Sequence, residues 1–205
     1  MGIDNIALGY QALQANTTAQ KNVAVGSASL ASNTVGSWNI GIGFYSLRNN
    51  TTGQSNIAIG TRSLNSNTTR QNNTAIGYYA LYTNTIGVSN VAIGYKPLYN
   101  STADSLVAIG HYALYTNTTG TNNTALGNRS LRNNTTGSSN TAVGHYSLRN
   151  NATGSNNTAV GYYSLKNNTT GVQNTAVGVN ALTANTIGYN NTAIGSSTLT
   201  SSSTY

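Results

Sequence analysis

The stretch NTAVGYYSLKNNTTGVQ, Asn157 to Gln173, runs directly into NTAVGVNALTANTIGYN, Asn174 to Asn190. Two adjacent stretches with almost the same wording make periodicity the first property to test. Traced outward, the motif glycine falls at Gly9, Gly26, Gly43, Gly60, Gly77, Gly94, Gly110, Gly127, Gly144, Gly161, Gly178 and Gly195. Every interval is 17 residues except Gly94 to Gly110, which is 16. A leucine stands four residues after each glycine, from Leu13 to Leu199. Copies begin near residues 5, 22, 39, 56, 73, 90, 106, 123, 140, 157, 174 and 191, with the last broken off at Tyr205. They fill residues 1–205 and read as a single repeat domain.

Each copy follows N-[TVI]-A-[VIL]-G-x-x-[AS]-L-x-x-N-T-[TVI]-G-x-x, and positions are numbered along this motif. Side chains alternate along an extended chain, so positions 2 and 4 share one face of a short strand. Position 2 is Ile, Val or Thr, and position 4 is Ile, Val or Leu. These residues suit a pleated surface. Glycines at positions 5 and 15 mark turns. Seventeen residues are too few for a helical repeat or a propeller blade but suit one coil of a solenoid. The expected fold class is all-β, a parallel β-solenoid of twelve 17-residue coils. Stacked at ~4.8 Å, they would form a rod about 55 Å long. The position-4 aliphatics and the leucines are expected to fill it, with something approaching the small position-3 alanine closely on the opposite face.

One copy departs from the pattern. In YKPLYNSTADSLVAIG, Tyr95 to Gly110, a residue is missing, and Ala103-Asp104-Ser105 replaces the usual turn. Pro97, the only proline, sits in the same copy. It lacks the donor that a central ladder needs. A tolerated loop deletion is the expectation.

Composition narrows the function. Charged residues make up 5% of the chain, with nine basic and two acidic residues and a formal charge of +7. The basic residues look scattered from Lys21 to Arg48 and on to Lys166. A nucleic-acid binder gathers its cations on one face, so no nucleic-acid partner is expected. The absence of cysteine removes disulfides and thiolate metal sites. No apolar run reaches the ~20 residues of a membrane span, and the first residues do not open a signal peptide. Acid–base catalysis requires a carboxylate pair or an oriented histidine. Asp4 and Asp104 lie about six coils apart, roughly 30 Å, and His111 and His145 about two coils, or 10 Å, apart. The expectation is no enzyme activity, no cofactor and no metal.

The N-x-A-[VI]-G signature, as in NIAIG (Asn56 to Gly60) and NVAIG (Asn90 to Gly94), resembles the head repeats of YadA-like trimeric autotransporter adhesins. The longer form, with Leu and then NTTG, is similar to repeats of tail-fibre-type surface proteins. The resemblance covers essentially the whole chain. It implies a left-handed parallel β-roll whose chains pack as trimers and bind host surface proteins. It also implies that position-3 alanines such as Ala75, Ala142 and Ala159 face neighbouring subunits. The period of 17 exceeds that of the adhesin repeat, and no neck, coiled-coil stalk or anchor accompanies it in this sequence.

Three surface features are candidates for function. Rings recur at positions 6 and 7: Phe44, Tyr45, Tyr78, Tyr79, Tyr112, Tyr146, Tyr162 and Tyr163. With Arg62 and Arg129 beside them, they suit a subunit interface or stacking on sugar rings. N-x-[ST] sequons at Asn50, Asn67, Asn117, Asn134, Asn151 and Asn168 are candidate glycosylation sites. Asparagine columns also suit turns and in-register amide ladders. The Thr pairs of NTT would form an ice-binding array, weakened if Val35, Ile86 and Ile187 mark the second column as inward-facing. The function expected is that of a structural subunit of an extracellular or cell-surface fibre, a virion fibre included, with an adhesive role. Its partner is itself, as a trimer or an end-to-end filament, with glycans attached or bound. A glycan- or host-binding adhesin head and an ice-binding solenoid are the alternatives.

Overall fold

The computed structural model describes residues 2–200; the broken-off end of the last copy at Tyr205 lies outside them. The chain divides into two compact units, Met1–Asp104 and Ser105–Tyr205. The first contains β1 (Ile6–Leu8), β2 (Val23–Val25), β3 (Ile40–Ile42), β4 (Ile57–Ile59), β5 (Thr74–Ile76) and β6 (Val91–Ile93). The second contains β7 (Val107–Ile109), β8 (Thr124–Leu126), β9 (Thr141–Val143), β10 (Thr158–Val160), β11 (Thr175–Val177) and β12 (Thr192–Ile194). Within each unit every strand pairs in parallel with the next at a shift of one repeat, as in Ile57↔Thr74 and Thr141↔Thr158. Twelve strands one repeat apart, with no helix among the described residues, are a parallel β-solenoid.

The strands cover only three residues of each coil, but coil-to-coil hydrogen bonding continues past them. Leu47 N–H donates to Ser63 O at 3.0 Å, Thr51 to Thr68 O at 2.7 Å, and Trp38 to Gln20 O at 3.1 Å. Main-chain polar groups at several corners are thus paired between coils, as a closed thin coil requires.

The interior differs from the sequence expectation. Position-3 alanines such as Ala58, Ala75, Ala142 and Ala159 are fully buried within a single chain, with the position-9 leucines and the small position-8 residues. A methyl group built on Gly41, the one glycine at position 3, would stand 2.6 Å from Ser29 Oγ and 3.2 Å from Leu30 Cγ. The alanine therefore faces inward, into the interior of its own chain, and not toward a neighbouring subunit. Positions 2 and 4 face out, with Ile42 36%, Ile109 38% and Val160 36% exposed. Leucine nearly fills so thin a coil, and only a methyl group fits opposite it. The close approach at position 3 was legible in the sequence; its side was assigned the wrong way round.

The leucine carries a strained backbone. Leu47, Leu64, Leu131 and Leu148 have φ of 48°, 48°, 47° and 49°, in the left-handed region. That conformation costs about 1–2 kcal/mol for a residue with a Cβ. Burying the side chain returns roughly 1.5–3 kcal/mol. Glycine would relieve the turn but empty the centre, which is why this position never changes. At position 5 the demand is reversed. Gly144 has φ of 128°, and a Cβ there would meet Gly161 O at 2.5 Å, so the chain in the next coil leaves no room for one.

Two columns of buried asparagine line the rest of the interior. At position 1, Asn140 Oδ1 accepts from Asn157 N at 3.0 Å, and Asn157 Nδ2 crosses its coil to Gly171 O at 2.8 Å. At position 12, Asn151 Nδ2 donates to Asn134 Oδ1 and to Gly154 O, both at 2.8 Å. The second ladder fails at two informative places. Asn16 Oδ1 and Asn67 Oδ1 are buried without a partner, and their coils carry Ala19 and Arg70 where others have glycine. A Cβ built on Gly53 would lie 2.3 Å from Asn50 Oδ1. A real side chain at position 15 displaces the amide and breaks the step to the next coil.

The irregular copy keeps its inner stations. Ser101 N still donates to Leu98 O at 3.2 Å, and Asn90 Nδ2 reaches Ala103 O at 2.9 Å. Ala103 therefore occupies the glycine position, and the missing residue is lost from the outer corner at Thr102. Pro97 lies at position 8, where other coils make only a weak local bond, such as Ser46 N to Gly43 O at 3.3 Å. Its carbonyl still accepts from Leu81 N at 3.0 Å, so proline removes little.

Candidate functional site

The ring columns form a ridge in each unit. Position 6 is the more exposed, with Phe44 45%, Tyr78 44% and Tyr162 45% accessible, while Tyr45, Tyr79, Tyr112, Tyr146 and Tyr163 at position 7 are half-buried. Position 7 again has positive φ, 58° at Tyr45 and 57° at Tyr163. Neighbouring rings cover one another. Tyr78 stacks on Tyr95 at 5.3 Å and 11°, His145 on Tyr162 at 5.4 Å and 13°, and Phe44 on Tyr45 at 3.9 Å and 20°. In each of these pairs the neighbour occupies one face of the ring.

Position 10 belongs to the same ridge and was missed. Tyr82 stacks on Tyr99 at 5.3 Å, and Tyr115 meets Tyr112 edge-on at 4.9 Å. The column also carries Arg48, Arg132, Arg149 and Lys166, which a tabulation at the repeat period exposes directly. Seven of the nine basic residues occupy position 7 or 10. The cations that look scattered along the sequence are therefore gathered on one face within each unit, and the ground for discounting a polyanionic partner disappears.

These cations sit against the rings. The Arg48 guanidinium lies 4.6 Å from the Tyr45 centroid, that of Arg149 4.9 Å from Tyr146, and Lys166 Nζ 4.4 Å from Tyr163. Arg62 donates to Tyr79 Oη at 2.7 Å, and Arg129 donates to Tyr146 Oη. Such contacts contribute about 0.5–1 kcal/mol each at exposed sites and hold the charge in place. The hydroxyl hydrogen bond to Tyr163 is the main influence raising the Tyr162 titration above the ordinary 10.0. Burial and the charges of Tyr163 and Tyr146 add to it.

The other candidates are placed less favourably. Asn50, Asn67, Asn117, Asn134, Asn151 and Asn168 are fully buried in the amide ladder, so the folded coil has no room for a glycan on them. The sequon pattern is a by-product of Asn at position 12 with Thr two residues later, at position 14. Val35, Ile86 and Ile187 are 45%, 59% and 54% exposed, so the second Thr column points outward, not inward as expected. The first Thr column is tied up along the stack, as in Thr51 Oγ1 to Thr68 O at 3.1 Å. Among the described residues no group of three or more His, Asp or Glu side chains is placed to hold a metal ion. No helix among them is long and apolar enough to cross a membrane. No known protein-family model, characterised protein or solved structure matches the chain.

Proposed function

We propose that the protein is a structural module of an extracellular or cell-surface fibre, assembled from copies of itself and adhesive along its sides. The observation that carries this is the outward aliphatic face of the strands. Val25, Ile42, Ile59, Ile76 and Ile93 recur at position 4 in one unit, and Ile109, Leu126, Val143, Val160 and Val177 in the other. Contiguous apolar surface of this kind marks an interaction site. Because every coil repeats the same face, another copy of the chain can match it coil for coil. The resemblance of N-x-A-[VI]-G to adhesin head repeats, which pack as trimers, supports the same arrangement.

Sedimentation and electron microscopy of the purified chain test the proposal. Assemblies are expected for the native sequence, and smaller species for Ile42→Lys with Ile59→Lys, which leaves the interior untouched. A native chain that stays monomeric at high concentration overturns it.

A further inference from the structure

We infer that the cationic ridge of residues 105–200 binds an acidic polysaccharide, a linear glycan carrying carboxylate or sulfate groups along its length. The inference rests on the adhesive part of the proposal above and not on self-assembly. No Asp or Glu occurs after Asp104, so Arg129, Arg132, Arg149 and Lys166 have no acidic side chain in their own unit to pair with. Arg132, Arg149 and Lys166 occupy position 10 in three successive coils, forming a row of like charges at the strand spacing of ~4.8 Å. Like charges stacked so closely repel one another, and a bound polyanion relieves that repulsion.

The row is already ordered before any ligand arrives. Arg149 and Lys166 lie on the Tyr146 and Tyr163 rings, and Arg132 is 5.5 Å from the Tyr112 centroid. The Nε–H groups of Arg129, Arg132 and Arg149 are covered and donate no hydrogen bond. Less side-chain freedom is then lost on binding.

A second row favours sugar over other polyanions. Each position-10 cation is followed by an asparagine, giving Arg132-Asn133, Arg149-Asn150 and Lys166-Asn167. Asn133 Nδ2 donates to Asn150 Oδ1 at 3.1 Å, and Asn150 Nδ2 to Asn167 Oδ1 at 3.2 Å, all half-buried. Cation and carboxamide thus repeat together, matching a polymer whose anionic and hydroxyl groups also repeat. Single-stranded nucleic acid is held by bases stacking on open ring faces. Here His145 and Tyr162 stack on each other, and Arg149 and Lys166 lie against the Tyr146 and Tyr163 rings, so neighbours and charge already occupy ring faces that a base would use.

The test uses the full chain on immobilised heparin and alginate, which separate sulfate from carboxylate recognition. Dextran, an oligothymidylate and phosphatidylglycerol vesicles serve as competitors. Binding to at least one acidic glycan, at least tenfold tighter than to dextran and weakened by salt, is expected. Replacing Arg132, Arg149 and Lys166 together by Gln should abolish it with the circular dichroism spectrum and the assembly state unchanged. Arg132→Lys with Arg149→Lys should retain it. Failure to bind either glycan, or tighter binding to the oligonucleotide or vesicles, overturns the inference, as does undiminished binding by the Gln variant. Glycan binding by a chain that never assembles would sustain the inference while removing the fibre proposal.

Discussion

Replacing Arg70 by glycine should stabilise the protein, although glycine is ordinarily the less stable choice. Arg70 occupies position 15, and in its coil Asn67 Oδ1 is buried without a donor. Asn84 Nδ2 in the next coil bonds only to Gly87 O, at 2.9 Å. Where position 15 is glycine and the next coil supplies Asn, the corresponding step forms, as from Asn67 Nδ2 to Asn50 Oδ1 at 2.8 Å. Removing the Cβ lets Asn67 turn and accept from Asn84. A relieved buried acceptor contributes about 1–3 kcal/mol. The greater freedom of glycine in the unfolded chain subtracts about 0.4–1 kcal/mol. The net gain is on the order of 1 kcal/mol, or about 2–4 °C in Tm for a chain of this size. Arg70→Ala retains the Cβ and should give no gain, although it too discards the exposed guanidinium. Thermal unfolding followed by circular dichroism compares the three proteins, and amide exchange should slow around Asn67 and Asn84 in the glycine variant alone. Equal stabilisation by Ala and Gly, or none by Gly, would refute the reasoning.

Gly144→Ala should act in the opposite direction, because its φ of 128° and the Gly161 carbonyl 2.5 Å from the new Cβ leave no relaxed position for it. A loss of at least about 1–3 kcal/mol is expected from the backbone strain alone, read in the same unfolding experiment. Tyr162 provides a pH test. Its titration is raised above 10.0, so its contribution to stability is fully present below that value and is lost as the pH climbs through the raised one. Tyr163→Phe removes the leading cause. An ultraviolet difference titration should then show Tyr162 ionising earlier, and curves differing only by one missing tyrosine would contradict this.

Periodicity made the fold legible because a solenoid must repeat what every coil requires. Gly144 and Leu148 announce the turn and the filling of each coil through their recurrence alone. Sidedness was not legible, because alternation tells which residues share a face and says nothing about which face is inside. Ile59 and Ala58 are both apolar, and only the room left beside the leucine column decides between them. The ridge was half legible. Tyr162 and Tyr163 stand out as rings, while Arg132, Arg149 and Lys166 look dispersed until the chain is wound and residues seventeen apart become neighbours. The sequons misled for a related reason. Asn151 has the composition of a surface acceptor, but its amide is needed inside.

The short copy has a consequence beyond its own coil. Between Ser101 and Ala103 the chain takes a shorter path around the outside while Leu98, Asn90 and the bonds they make keep their places. Circumference is therefore adjustable at that corner without disturbing the register with the coil before it. A peptide grafted between positions 12 and 15 of another coil, such as after Asn134, would be carried as an outward loop. Grafts in successive coils would be displayed at the interval of the stack itself, so the protein doubles as a ruler for presenting chosen segments at a fixed molecular spacing.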